Sequence, residues 1–189
     1  SKDNIENRLD GACARYLNQK KKNNNIPDVL FLHGDSTKNI KELETVFTER
    51  NKKSLSAVFG KGEKDIDILG KGIFKKWNIA SNDFNISSIQ FALHYMFENT
   101  NTLHNFLRNV SECTRVNGYF IGTSYDGKKV FDLLKKTKPN DSITYFENEE
   151  RIWQITKKYK KNKFNDDESC IGYPINVFQD SINQTQTEY

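Results

Sequence analysis

Three short apolar runs, separated by segments of helical period, constrain this chain to a layered α/β architecture. The first is Asp28-Val29-Leu30-Phe31-Leu32-His33-Gly34-Asp35, which predicts a buried strand of a parallel sheet with a loop at its carboxyl end. The second is Phe84 to Phe91, with Ile86, Ile89 and Phe91 apolar, and the third is Tyr119 to Thr123. Around them, Ile5, Leu9, Cys13, Tyr16 and Leu17 fall at helical spacing. They predict an amphipathic helix over Ile5 to Leu17, broken by the polar tract Lys20 to Asn25 and by Pro27. Asn39 to Phe47 predicts a short helix. Thr102 to Val116 predicts a longer one, with Leu103, Phe106, Leu107, Val110 and Cys113 on one face and Asn117-Gly118 as its stop. Lys128 to Leu134 predicts another helix, closed by Pro139, whereas Thr48 to Asp83 reads as irregular with a helical turn near Phe74 and Trp77.

The tail changes period. Ile143 to Tyr159 and Cys170 to Phe178 alternate apolar with polar residues, as half-buried antiparallel strands do, with the charged loop Lys160 to Glu168 between them. The expected fold is therefore an α/β sheet with an antiparallel edge, in a single domain and without internal repeats.

Composition narrows the partners. Apolar residues make up 35% of the 189 positions and charged residues 29%, for a net charge of +4. Frequent Asn, Lys, Ile, Phe and Tyr point to an AT-rich genome, such as that of a protist or a large DNA virus. Lysines cluster at Lys20 to Lys22, Lys52-Lys53, Lys75-Lys76, Lys135-Lys136 and Lys157 to Lys163, patches that suit a polyanion but equally a solvated face. The 3 cysteines, Cys13, Cys113 and Cys170, are widely spaced, which fits reduced thiols, and no ligand cluster suggests a metal. No apolar run approaches the ~18 residues of a membrane span. A soluble intracellular protein is expected, without membrane contact; nucleus, cytoplasmic viral factory and virion are not distinguished.

In open α/β sheets, ligands bind beyond the carboxyl ends of the parallel strands. Two such ends carry polar groups. At His33-Gly34-Asp35-Ser36, an aspartate can accept a hydrogen bond from an exocyclic amine, or it can cap the following segment. At Gln90-Phe91-Ala92-Leu93-His94-Tyr95-Met96-Phe97-Glu98, a strand runs directly into a Gln, a His and several aromatics. Taken alone, His94 reads as a hydrogen-bonded core residue. The whole combination at a strand end is harder to explain by packing. The Phe59-Gly60-Lys61-Gly62 motif reads as loop, since no strand leads into it.

The run Phe84 to Glu98 resembles the signature of eukaryotic and large-DNA-virus mRNA cap guanine-N7 methyltransferases. So do Leu107-Arg108-Asn109-Val110 and Asn117-Gly118-Tyr119-Phe120-Ile121-Gly122-Thr123, the opening Asp10 to Leu17, and the closing Thr187-Glu188-Tyr189. Asp126-Gly127 after the third strand favours the viral branch. The resemblance implies a class I (Rossmann-like) S-adenosylmethionine-dependent methyltransferase sheet, of which residues 1–189 are the central and C-terminal part. The family's first strands with their glycine-rich loop, and its C-terminal end, have no counterpart here, so the piece alone is expected to be inactive. It implies transfer of a methyl group from S-adenosylmethionine to N7 of the cap guanosine, by in-line displacement with positioning instead of acid/base catalysis.

By the same resemblance, His94, Tyr95 and Glu188 would position the cap guanine. Asp35 and Ser36 would contact the cofactor's adenine, and Gln90, Phe91 and Tyr95 would line its methionine end. The implied partners are capped RNA (a GpppN 5′ end) and further capping-enzyme domains on the same longer chain. Two rival readings stand beside this one. One is a non-catalytic homologue that binds capped RNA or stimulates a capping complex; the other is an unrelated α/β domain whose motifs are core packing.

Overall fold

The computed structural model describes residues 5–189; residues 1–4, which fall in the expected single domain, lie outside it. The chain divides into two compact units, the first ending at Asp83 and the second running from Phe84 to Tyr189.

In the first unit, helix α1 (Ala12–Lys22) starts at Gly11, and Lys20, Lys21 and Lys22 fill its last turn. That placement complements the negative end of the helix dipole, so the lysine tract extends the helix rather than breaking it. Tyr16 donates to the Pro27 carbonyl at 3.1 Å and meets the Phe31 ring edge-on. The expected strand Asp28–Asp35 does not form. Its one ladder contact is an isolated bridge between Gly34 and Val46, and without neighbouring strands an apolar run has nothing to satisfy its backbone groups in sheet fashion. Gly34 is required there, because a Cβ would meet the Thr45 carbonyl oxygen at 2.7 Å. Asn39–Phe47 is likewise no helix. The Asn39 side chain accepts the Glu42 amide at 2.7 Å, its carbonyl accepts those of Glu44 and Thr45, and Leu43 sits at φ 65°. These side-chain and turn bonds displace the helical pattern.

Conversely, the stretch read as irregular holds two helices. α2 (Glu49–Val58) is capped by Thr48, which accepts the Asn51 amide at 3.2 Å, and buries Leu55, Ala57 and Val58. α3 (Ile66–Phe74) is capped by Asp65 and interrupted by Gly70 at φ 73°. Charged residues at the start of α2 and the Gly70 and Gly72 pair in α3 obscure the helical pattern, but the caps are ordinary helix-start signals.

The second unit opens with β1 (Phe84–Gln90), a 3-10 turn (Leu93–Glu98), α4 (Thr100–Cys113) and β2 (Thr114–Thr123). β1 and β2 pair in parallel, from Ile86 opposite Tyr119 to Gln90 opposite Thr123. Asn99 and Thr102 form a reciprocal capping box on α4, and Phe106 packs edge-on against Phe120. The Asn117-Gly118 pair does not stop the helix, which already ends at Cys113. It lies within β2, with Asn117 at φ 65° beside a register shift, as a bulge requires.

Helix α5 (Gly127–Leu133) is capped by Asp126. It precedes an antiparallel sheet of β3 (Ser142–Glu147), β4 (Glu150–Lys157), β5 (Ile175–Gln179) and β6 (Gln184–Glu188), in that spatial order. Phe131, Leu134, Tyr159, Ile175 and Val177 form the core between helix and sheet, with Leu134 fully enclosed. β6, sequence Gln-Thr-Gln-Thr-Glu, has no apolar alternation and was not foreseen as a strand. It forms by pairing onto β5, with Glu188 opposite Ile175. The α/β class holds, with one refinement: among the described residues, the parallel pair and the antiparallel strands form two separate sheets.

Candidate functional site

The carboxyl ends of β1 and β2 lie side by side, and the Thr123 hydroxyl donates to Gln90 Oε1 at 2.9 Å while Gln90 Nε2 donates to Ser88 at 3.0 Å. Phe91 then adopts φ 51°, its N–H donating to the Thr123 carbonyl and hydroxyl at 3.0 and 3.1 Å. A bulky residue in the left-handed region costs about 1–3 kcal/mol. This strained corner leaves Phe91 73% exposed and leads into the 3-10 turn, which buries His94 and Met96.

Four side chains converge behind that corner. The His94 imidazole packs against two tyrosines, with ring centroids 4.4 Å from Tyr95 and 5.3 Å from Tyr125. Its Nε2 stands 3.6 Å from Glu188 Oε1, too long for a hydrogen bond. Among the described residues, neither ring nitrogen of His94 has a hydrogen-bond partner, nor does Glu188 Oε2. The flanking tyrosines are tied instead. Tyr95 donates its hydroxyl to Gln186 Oε1 on β6, and Tyr125 accepts from Gln179 Nε2 on β5. A backbone bond from Gly172 N to the Phe97 carbonyl, 2.9 Å, joins the 3-10 turn to the segment before β5.

His94, Tyr125 and Glu188 open on a cavity of about 530 Å³ whose lining includes Phe131, Tyr159 and Tyr173. Burial governs its electrostatics. Desolvation holds the His94 imidazole below its usual pKa and pushes the Glu188 carboxyl up to about 7. Burial, and then the nearby Glu188, raise the Tyr95 and Tyr125 phenols, so both stay protonated at neutral pH. The site thus presents a neutral imidazole, a carboxyl group poised to ionise and two aromatic faces. Buried polar atoms without partners are costly, and a ligand with a complementary polar edge would relieve that cost.

Of the residues singled out from the sequence, His94, Tyr95 and Glu188 come together, and Gln90 and Phe91 stand at the adjoining strand ends. Asp35 and Ser36 belong to the first unit. There Asp35 Oδ1 accepts the Thr37 amide and hydroxyl at 2.9 and 2.7 Å, so the carboxylate organises its own turn. Sequence reasoning missed Tyr125, Gln179 and Gln186. Tyr125 could have been found by its place just past the end of β2, but the glutamines carry no local signal. No cluster of metal-ligating side chains occurs among the described residues, nor a helix long and apolar enough to cross a membrane.

Comparison with known proteins bears on this geometry. A probable mRNA-capping enzyme of Acanthamoeba polyphaga mimivirus is 28% identical over 181 residues, covering 94% of this chain but 14% of its own length. An mRNA cap guanine-N(7) methyltransferase of Drosophila melanogaster is 32% identical over 66 residues, 35% of this chain and 16% of its own. The chain therefore spans only a small part of the length of these relatives. The family model described as mRNA (guanine-N(7))-methyltransferase domain matches residues 2–183, stopping one residue short of β6. With that match across nearly its whole length, the chain belongs to the mRNA (guanine-N(7))-methyltransferase domain family.

Proposed function

We propose that this chain holds the cap guanosine of an RNA 5′ end for methylation at N7, as part of a cap methyltransferase catalytic domain. The observation that carries the reading is the buried His94–Glu188 pair, whose unpartnered polar atoms lie at one cavity, with the Tyr95 and Tyr125 rings against His94. Guanine offers N1–H and N2–H₂ donors side by side, and an ionised Glu188 accepts both. Guanine O6 takes a proton donor from the neutral imidazole of His94, and Tyr95 and Tyr125 supply stacking faces. Surface lysines such as Lys160, Lys161 and Lys163 suit the RNA backbone.

Guanine N7 carries a lone pair and no proton, so methyl transfer requires no general base. The chain's contribution is to fix the guanine plane and exclude water, so that N7 points along the line of displacement. S-adenosylmethionine, when bound, supplies the methyl group on a cationic sulfur. The residues present fit one side of it. Gln90 offers an amide at the strand ends, and the exposed Phe91 ring and Tyr95 offer aromatic faces that attract a sulfonium. Among the described residues, no glycine-rich turn joins a parallel strand to a helix.

The test is methyl transfer by the full-length protein from labelled S-adenosylmethionine to GpppRNA, with 7-methylguanosine identified after nuclease digestion. Wild-type activity that falls at least a hundredfold in both His94→Ala and Glu188→Ala supports the reading. Tight GpppA binding without methyl transfer favours the non-catalytic cap-binding alternative. Absence of both overturns the assignment.

A further inference from the structure

The two tyrosines that flank His94 end on glutamines of the antiparallel sheet, and those glutamines share a face with Glu188. Along β6, Gln186 and Glu188 are two residues apart and so project from the same side. Gln186 lies opposite Val177, and Gln179, two residues further along β5, lies opposite Gln184, which places Gln179 on that side as well. The tyrosines arrive from the other sheet, Tyr95 from the turn after β1 and Tyr125 from the loop after β2. The same two side-chain bonds therefore join the ends of the parallel strands to the strands that bear the carboxylate.

We propose that Gln179 and Gln186 are positioning residues for the guanine pocket, Gln179 by anchoring Tyr125 in the cavity lining and Gln186 by anchoring Tyr95 against the His94 ring. The role rests on the guanine-site reading above and extends it to two residues without ligand contact. Amides suit the task. One glutamine uses its oxygen as acceptor and the other its nitrogen as donor, so each meets its phenol without a charge beside Glu188. An amide does not titrate, so both ties persist through the range in which the Glu188 carboxyl ionises. A single such bond stabilises little, but displacing an aromatic wall by a fraction of an ångström misplaces the base it stacks on.

The experiment compares Gln186→Leu and Gln179→Leu with Tyr95→Phe, Tyr125→Phe and the matching double variants in the full-length protein. Three quantities are read: equilibrium binding of GpppA from pH 6 to 8.5, KM for capped RNA against KM for the methyl donor, and the urea midpoint. Each glutamine variant is expected to weaken GpppA binding about tenfold and raise the RNA KM alike; Gln179→Leu, which frees only Tyr125, should leave the donor KM within twofold, whereas Gln186→Leu, which frees Tyr95, should raise it as well. In the tyrosine-to-phenylalanine background, the glutamine substitution should cost less than a further twofold, because the bond is already gone. Wild-type GpppA binding in both glutamine variants overturns the proposal. So do losses that multiply in the double variants, or a donor KM that rises in step with the RNA KM in Gln179→Leu. Should a leucine variant fail to fold, Gln186→Met and Gln179→Met take its place. If the wild-type protein binds no GpppA, the guanine reading falls. The NMR titration of the His94 ring then decides the positioning role, and an unchanged titration in both glutamine variants overturns it.

Discussion

His94 Nε2 lies 3.6 Å from Glu188 Oε1, with the two side chains only 6% and 8% exposed. A carboxylate and an imidazole at that spacing in water would form an ordinary ion pair. Here, burial lowers the pKa of the base and raises that of the acid, so both are pushed toward their neutral forms. The pair is thereby primed for a neutral polar ligand that supplies donors to one partner and an acceptor to the other.

Glu188→Gln should cost more than its small change in shape suggests, because an amide offers guanine one acceptor and one misdirected donor. Loss of a charge-assisted hydrogen bond is worth roughly 1.5–3 kcal/mol, so GpppA affinity should fall about ten- to a hundredfold. His94→Ala should fall in the same range. Fluorescence titration with GpppA measures both; an affinity within twofold of wild type in either variant would place guanine elsewhere.

Binding should follow pH with a defined sign. In the proposed guanine site the ionised form of Glu188 is the one that binds, and burial pushes the free carboxyl up to about 7. Below that pH a proton must leave on binding, so affinity should drop by up to about tenfold per unit of falling pH and level off above it. Glu188→Gln should flatten this limb. A wild-type profile without it would mean that Glu188 is already ionised in the free protein.

The same residue makes a stability prediction in the unliganded protein. The folded-state pKa of Glu188 lies above its ordinary value of 4.5. Its contribution is therefore fully present below pH 4.5 and is lost as pH rises through about 7. Glu188→Gln, which never ionises, should be more stable than wild type above pH 8, by roughly 3 kcal/mol at most, and equal to it at low pH. Urea midpoints across that range test the sign.

Gly34→Ala should destabilise the first unit. A Cβ there meets the Thr45 carbonyl oxygen at 2.7 Å, and the bridge to Val46 must open to admit it. An overpacking cost of about 1–3 kcal/mol is expected, read as a lowered unfolding midpoint. An unchanged midpoint would show that the bridge carries no weight.

Parts of this architecture were legible because the information is local. Phe84 to Phe91 announces β1 by its apolar residues, Leu103, Phe106 and Cys113 announce α4, and Ile143 to Tyr159 announces the first antiparallel hairpin. The caps Thr48 and Asp65 are the local signals of α2 and α3. Asp28–Asp35 misled, because an apolar run specifies burial and leaves open whether a neighbouring strand exists to pair with. β6 was invisible for the converse reason: its residues are polar, and only the open edge of β5 makes them a strand.

For the site, the sequence alone determined the residue types and their place at a strand end. Gln90, Phe91, His94 and Tyr95 are consecutive enough for one turn to present them together, and Glu188 was named by resemblance. What only the tertiary structure decided is proximity and its consequences. Pairing of β6 onto β5 carries Glu188 to His94, removes water from both, and so sets their protonation. The register of that sheet also brings Gln186 and Gln179 to the two tyrosines. Distances between residues far apart in the chain, and the desolvation that follows from them, are properties of packing, and no local pattern encodes them.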